Sequence, residues 1–295
     1  MNANSSTSKT SSSSARFAVI GNPVSHSRSP AIHHMFGKQT GIAIQYDRLE
    51  APLDQFEQTV HSFFSQGGRG LNVTVPFKLQ AWKLSEQHLS PRAKSALAVN
   101  TLWMENGELH GCNTDGVGLV QDLKRLHVDL STARILMIGA GGAARGVMGP
   151  LLETGCPQLK VVNRTASRAH ELVAEWKRNS ACAKTSISSG GLEDAAQTGG
   201  WDLVINASAS SLGDAPPDVP SNLYAPDALA YDMMYGAHPT SFMIQAQADG
   251  AQRTSDGLGM LVSQAAESFF IWNGVRPEVD SVLSTIREEI QNKNK

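Results

Sequence analysis

The 295-residue sequence holds only three cysteines, Cys112, Cys156 and Cys182, too far apart for a C-x-x-C pair or a zinc-finger spacing. That excludes a disulfide framework, gives no metal site, and fits reduced thiols in a cytoplasmic protein. No apolar run approaches the roughly 18 residues of a membrane span. No long Lys/Arg run occurs, and 25 Lys+Arg against 27 Asp+Glu leave a net charge of −2. Nucleic-acid or membrane-surface binding therefore has no electrostatic basis. The opening stretch MNANSSTSKTSSSSAR lacks the apolar core of a secretory signal. It is Ser-rich and free of acids, and residues 1–15 are expected to be a disordered tail. No repeat at a fixed period is visible, which argues against a solenoid.

What is present is an ordinary globular mix, 41% hydrophobic and 18% charged, on a chain long enough for one large domain or two ordinary ones. Strands are expected at Phe17–Gly21, Ile44–Leu49 and Leu71–Val75. Helices are expected from Ser29-Pro30 to Gly41, over Leu53–Gln66, and from Pro76 onward. Ser29 reads as the N-cap of the first of these. Val99–Trp103 and Leu109–Cys112 flank Asn106-Gly107, a hairpin signal. Asp115–Leu126 reads as a helix. A second series then has strands at Arg134–Gly139, Leu159–Asn163, Leu203–Asn206 and Leu229–Asp232, with helices at Gly142–Thr154, Ser167–Lys177 and Pro239–Ala248. Leu258–Trp272 and a segment after Pro277 complete the chain as helices. Strands alternating with helices predict parallel sheets, in two α/β units joined near Asp115 with a cleft between them.

In the second unit the apolar strand Ile135–Ile138 runs into Gly139-Ala140-Gly141-Gly142-Ala143-Ala144 and then a helix. This is the G-x-G-x-x-A pattern of a Rossmann-like dinucleotide loop. Gly139 permits the tight turn, Gly141 admits a pyrophosphate, and Ala144 packs closely on the strand. The helix N-terminus offers free N–H groups to the anion. An NAD site wants an acid at the end of the next strand. Here that strand ends Asn163-Arg164-Thr165, followed by Arg168. Two guanidiniums and a hydroxyl suit the 2′-phosphate of NADP(H), which is the expected cofactor.

The first unit carries four polar clusters. Ser27 and Ser29 flank a helix start, where their hydroxyls can bind a carboxylate or simply cap the helix. His26, just before Ser27, reads as loop surface. Asn72 and Thr74 share one side of a strand, and Lys78 follows in the first helical turn, where a cation opposes the helix dipole unless it has a partner. Asn100 ends a third segment. Asp115 opens a helix, as an N-cap or as something more. Sequence alone does not bring the four together.

Taken in order, Gly21-Asn22-Pro23 with Ser25–Pro30, Asn72–Lys78, Val99-Asn100-Thr101, Asn113–Gly118, Gly139–Ala144, Asn163–Arg168, Tyr231–Tyr235 and Asp256–Gln264 resemble the shikimate dehydrogenase family over nearly the whole chain after residue 16. The resemblance implies an α/β protein with a substrate-binding domain over 16–115, completed by 257–295, and a Rossmann-like NADP-binding domain over 116–256. It implies that Ser27 and Ser29 hold the substrate carboxylate with Tyr235 nearby, and that Thr74, Asn100, Asp115 and Gln264 contact ring hydroxyls. Lys78 and Asp115 would be the catalytic pair. Gly139, Ala140, Gly141, Gly142, Ala143, Asn163, Arg164, Thr165 and Arg168 would hold NADP(H), with Met233 and Gly257 by the nicotinamide. The implied reaction is reversible NADPH-dependent reduction of 3-dehydroshikimate to shikimate, by a monomer or a homodimer. Three positions depart from the family pattern: Cys112, Pro91, and the loop Ala209-Ser210-Ser211 after Asn206-Ala207-Ser208. The rival readings are a quinate/shikimate dehydrogenase of the same family and a non-catalytic NADPH-binding regulator; the presence of both Lys78 and Asp115 argues against the second.

Overall fold

The computed structural model describes residues 14–179, 185–208, 210 and 215–292. The expected tail before residue 14, Cys182 and most of the 209–214 loop lie outside the described residues.

The first lobe is built from β1 (Ala15–Gly21), α1 (Ser29–Thr40), β2 (Ile44–Glu50), α2 (Phe56–Ser65), β3 (Gly68–Val73), α3 (Lys78–Leu84), α4 (Pro91–Ala96), β4 (Thr101–Glu105) and β5 (Glu108–Cys112). Its sheet runs β2-β1-β3-β4-β5, parallel through β2, β1 and β3 and antiparallel through the β4–β5 hairpin. The hairpin turns at Asn106 (φ 52°) and Gly107 (φ 84°), both left-handed, as the Asn-Gly pair predicts. β1 is buried on both faces. Ala18 and Ile20 meet Phe56, Val60, Phe77 and Ala81, while Phe17 and Val19 meet Tyr46 and Trp272.

α5 (Asp115–Arg125) leads from this sheet to the second lobe: β6 (Arg134–Ile138), α6 (Gly142–Glu153), β7 (Gln158–Val162), α7 (Ala166–Asn179), β8 (Ser186–Gly190), β9 (Trp201–Asn206), β10 (Tyr224–Asp232), α8 (Ser241–Ala248) and β11 (Arg253–Ser255). All pairings are parallel, in the order β11-β10-β9-β6-β7-β8. This is the doubly wound Rossmann order, whose direction reverses between β6 and β9. Ile135 and Met137 face one helical layer and Leu136 and Ile138 the other, so β6 is apolar from Ile135 onward.

Two last helices, α9 (Leu258–Asn273) and α10 (Asp280–Asn292), return to the first lobe. Leu258, Val262, Phe269, Val282, Ile286 and Ile290 close over Ile32 and Phe36 of α1. Trp272 stacks on Phe17 at 4.9 Å and donates its indole N–H to the carbonyl of Leu102 at 3.2 Å. α9 also lies along α5. A Cβ on Gly118 of α5 would stand 2.7 Å from Gln264, an approach that only glycine allows.

Several local expectations are corrected. Ala15 belongs to β1, not to the tail, because it pairs with Ile44. Arg28, not Ser29, is the N-cap of α1; the Ser27 hydroxyl already accepts the backbone N–H of Ser29, at 3.3 Å. The third strand ends at Val73, two residues early, and the next helix starts at Lys78 rather than Pro76. Phe77 turns back to bond the Thr74 carbonyl at 3.0 Å, and Val75 is left exposed. Thr114, not Asp115, caps α5. The strands β8 and β11 were not expected: SISSG is too polar and RTS too short for a recognisable strand pattern.

Candidate active site

A cavity of about 440 Å³ opens between the lobes, and its lining includes Ser27, Ser29, Thr74, Lys78, Asn100, Asp115, Tyr235 and Gln264. The structure thus brings all four polar clusters of the first lobe together with Tyr235 after β10 and Gln264 on α9. Met233 and Gly257 line the same cavity. So do His26, which is exposed as expected, and Arg28, which the sequence did not single out.

Lys78 opens α3, and its Nζ donates to Asp115 Oδ2 at 2.6 Å. This is the partner that makes a lysine tolerable in a first helical turn. Asn100 Nδ2 donates to the other oxygen, Asp115 Oδ1, at 2.8 Å. The backbone N–H of Asp115 is itself accepted by Asn113 Oδ1 at 3.0 Å. The carboxylate, in the first turn of α5, also enjoys the favourable end of the helix dipole.

A buried polar net fixes Asn100. Its Oδ1 accepts from the Thr114 backbone N–H (2.9 Å) and the Thr101 hydroxyl (2.9 Å), and its Nδ2 also reaches Thr114 Oγ1 (2.9 Å) and Gln264 Oε1 (3.3 Å). These contacts dictate which end of the amide faces Asp115. Behind it, Tyr46 donates to Asn72 Oδ1 at 2.7 Å, and Asn72 Nδ2 donates to Ser268 Oγ at 3.0 Å. Asn72, Thr101 and Thr114 stand within the polar motifs of the sequence, whereas Ser268 carries no signal there. Burial pushes the Tyr46 phenol well above its ordinary value. Burial also raises the Tyr235 phenol, against the opposing pull of the Arg28 charge, so Tyr235 presents a neutral O–H donor to the cavity.

The glycine loop lies at the topological switch point. Gly139 has φ 115°, and a Cβ there would come within 2.9 Å of the Ala207 backbone after β9. Cβ atoms on Gly141 and Gly142 would meet open space, and both residues, with Ala143, are exposed at the start of α6. One turn later, a Cβ on Gly146 would stand 3.8 Å from Asp115 Oδ2, so the helix behind the loop abuts the Lys78–Asp115 pair. Asn163 donates to the Thr165 carbonyl at 2.9 Å, shaping the turn after β7 from which Arg164, Thr165 and Arg168 face solvent. Arg164 forms one wall of a separate hollow with Leu192, Val219 and Pro220. Among the departures from the family pattern, Cys112 is buried, and burial raises its thiol pKa; Pro91 is exposed at the start of α4.

On the far side, Arg287 of α10 grips both oxygens of Asp256 and donates to the Gly236 carbonyl at 3.1 Å. Asp256 is buried and precedes Gly257, whose N–H donates to the Met234 carbonyl at 2.9 Å. No local pattern announces this clamp, because its partners lie 31 residues apart. Among the described residues, no helix is long and apolar enough to cross a membrane.

A Rossmann-like lobe facing a polar cavity with a lysine–carboxylate pair defines a two-lobed dehydrogenase. Residues 19–102 match the shikimate dehydrogenase substrate binding domain, 121–211 match shikimate / quinate 5-dehydrogenase, and 257–287 match the shikimate 5′-dehydrogenase C-terminal domain. The chain is 61% identical to a shikimate dehydrogenase (NADP(+)) of Bordetella petrii, over 92% of this chain and 95% of that one. It is 52% identical to that of Cupriavidus necator, over 98% and 99%. Among solved structures, shikimate 5-dehydrogenase of Thermus thermophilus, in complex with NADP(H) and shikimate, aligns with a TM-score of 0.80 at 32% identity, over 93% of this chain and 99% of that one. An Ael1 enzyme from Pseudomonas putida aligns at 0.85 and 39%, over 92% and 98%. The chain belongs to the shikimate dehydrogenase family.

Proposed function

We propose that this chain catalyses 3-dehydroshikimate + NADPH + H⁺ ⇌ shikimate + NADP⁺ in the cytoplasm. The observation that carries the reading is the Lys78–Asp115 contact inside the interlobe cavity, against the helix that follows the glycine loop.

The residues present fit NADP(H). The open space over Gly141 and Gly142 and the free N–H groups of α6 suit a pyrophosphate. Arg164, Thr165 and Arg168, with no acid from Asn163 to Arg168, suit a 2′-phosphate. The Arg164 hollow is lined by Leu192, Val219 and Pro220 together with Glu193 and Asp218, and its apolar part suits an adenine. When bound, the cofactor supplies or accepts the hydride.

The chain's own residues do the rest. Ser27, Ser29 and the Tyr235 O–H donate hydrogen bonds to the substrate carboxylate, and Arg28 adds its charge. Thr74, Asn100, Asp115 and Gln264 bond the ring hydroxyls. An analogue lacking one of these leaves buried polar groups unpaired and is strongly rejected. As the carbonyl is reduced, negative charge builds on its oxygen. Lys78 Nζ stabilises that charge and delivers the proton, and in the reverse direction it takes the proton back. Asp115 and Asn100 hold Nζ at the required place. Met233 and Gly257 form the wall towards the nicotinamide.

Absorbance at 340 nm with shikimate and NADP⁺, run beside quinate with NAD⁺, tests the reading. Turnover of the first pair is expected to dominate. No shikimate turnover would overturn the proposal, and faster quinate oxidation with NAD⁺ would move the chain to the quinate-using branch.

A further inference from the structure

His88, Glu108 and His110 converge on the outer edge of the first sheet, and none of them lines the cavity. Glu108 and His110 are two apart on β5, so their side chains share a face of this terminal strand. His88 arrives from the short 3-10 turn Glu86–His88 that follows α3. Its neighbours are tied to β5 by a bridge between Leu89 and Gly111 and by the Ser90 N–H donating to the Gly111 carbonyl at 2.9 Å.

One ligand atom from each of the three residues lies within 4.8 Å of the other two. His88 Nε2 is 3.1 Å from Glu108 Oε2, and the two imidazole rings are 4.7 Å apart. Glu108 thus faces two imidazoles, of which its ion pair accounts for His88 alone. His110 is held in place from behind: its ring stacks on Trp103 at 5.4 Å, and its Nδ1 stands 3.9 Å from Glu105 Oε2. Glu105 Oε2 also accepts from the Trp103 indole N–H at 3.4 Å, so the ring that backs His110 is itself fixed.

We propose that His88, Glu108 and His110 form a binding site for a divalent transition cation of the Zn²⁺ class, with water completing the coordination sphere. Two imidazoles and a carboxylate suit zinc, and three protein ligands leave a position open. Metal–ligand bonds of about 2.0–2.2 Å put tetrahedral ligand atoms roughly 3.4 Å apart. The His88–Glu108 contact, at 3.1 Å, is within a few tenths of an ångström of that spacing, and partly exposed side chains can turn to close the wider one. The site bridges the segment after α3, which begins at Lys78, and the strand that runs on to Asp115. Binding therefore clips together the two stretches of chain that carry the catalytic pair.

Calorimetric titration of the full-length protein with Zn²⁺, after EDTA treatment and dialysis, tests the proposal. Binding at this site is expected to raise Tm by roughly 5 °C at a hundredfold excess over Kd. Even outer-carboxylate substitutions cost metal sites about 10–100-fold in affinity. His88→Ala, His110→Ala and Glu108→Gln should each cost at least that, with Tm in EDTA and kcat/KM in EDTA unchanged. Should an alanine variant fail to fold, His110→Gln replaces it, with the visible absorption of bound Co²⁺ as readout. No Zn²⁺ binding to the wild-type chain, or binding that keeps its affinity in the His88 and His110 variants, overturns the site.

Discussion

The Nζ of Lys78 and the Oδ2 of Asp115 meet at 2.6 Å across 37 residues of sequence, with the other Asp115 oxygen taken by Asn100 at 2.8 Å. A carboxylate held on both oxygens leaves the ammonium one direction in which to point. Lys78→Ala should therefore cut kcat by roughly 10²–10⁴ while changing the shikimate KM far less. Steady-state kinetics in both directions measure this; a near-normal kcat would remove Lys78 from the proton transfer.

Asn100 should behave differently, because it serves the fold as well as the site. Asn100→Ala strips partners from the buried Thr114 N–H and Thr101 hydroxyl as well as from Asp115. Each buried group left unpaired costs about 1–3 kcal/mol. We expect a fall of several degrees in Tm together with lower kcat/KM, while Lys78→Ala unfolds close to the wild-type temperature. Equal Tm values for the two variants would show that the net around Asn100 has little structural weight.

Cofactor choice should rest on the turn after β7. The double variant Arg164→Ala/Arg168→Ala loses charge-assisted bonds to a 2′-phosphate, and its NADPH KM should rise roughly 10–100-fold. NADH, lacking that phosphate, should be used no worse than before. A loss of the same size with both cofactors would place the two arginines in general folding rather than in phosphate recognition.

His33 sets an acid limit on stability. It is fully buried beneath Tyr46, stacked at 4.3 Å, with no hydrogen-bond partner on either ring nitrogen. Burial lowers its pKa from 6.5 to about 3; the Asn72 amide opposes the shift but forms no hydrogen bond of normal geometry with it. Between these values the unfolded chain binds a proton that the folded one refuses, so stability is intact above pH 6.5 and falls as the pH drops towards 3. From pH 7 to pH 5 the loss is about 2 kcal/mol. His33→Phe keeps the stacking and removes the proton site, so its Tm should decline less over that interval. Parallel Tm curves for the two proteins would contradict this account.

The strands and helices with strong apolar periods, the Asn106-Gly107 turn and the glycine loop were legible because each is encoded within a few neighbouring residues. The polar clusters could be picked out locally, but their roles in one substrate site came only from the resemblance to a family. Ser27, Lys78 and Asp115 each also read as a surface or capping residue, and what joins Lys78 and Asn100 to Asp115 is the fold of the first sheet onto the start of α5. Arg28 escaped notice because a loop arginine has no local pattern. The Asp256–Arg287 clamp and the approach of His88 to Glu108 and His110 escaped because their partners come from separate segments. The two missed strands, β8 and β11, are strands by virtue of their neighbours in the sheet, not of their own composition.

The return of α9 and α10 to the first lobe bears on how the protein is made. On the ribosome, β1 to β5 emerge long before the helices that cover Ile32 and Phe36. At usual translation speeds the stretch from Cys112 to Asn292 takes roughly 10–40 s. Through that interval the nascent first lobe carries an uncovered greasy face, a natural client for a holding chaperone.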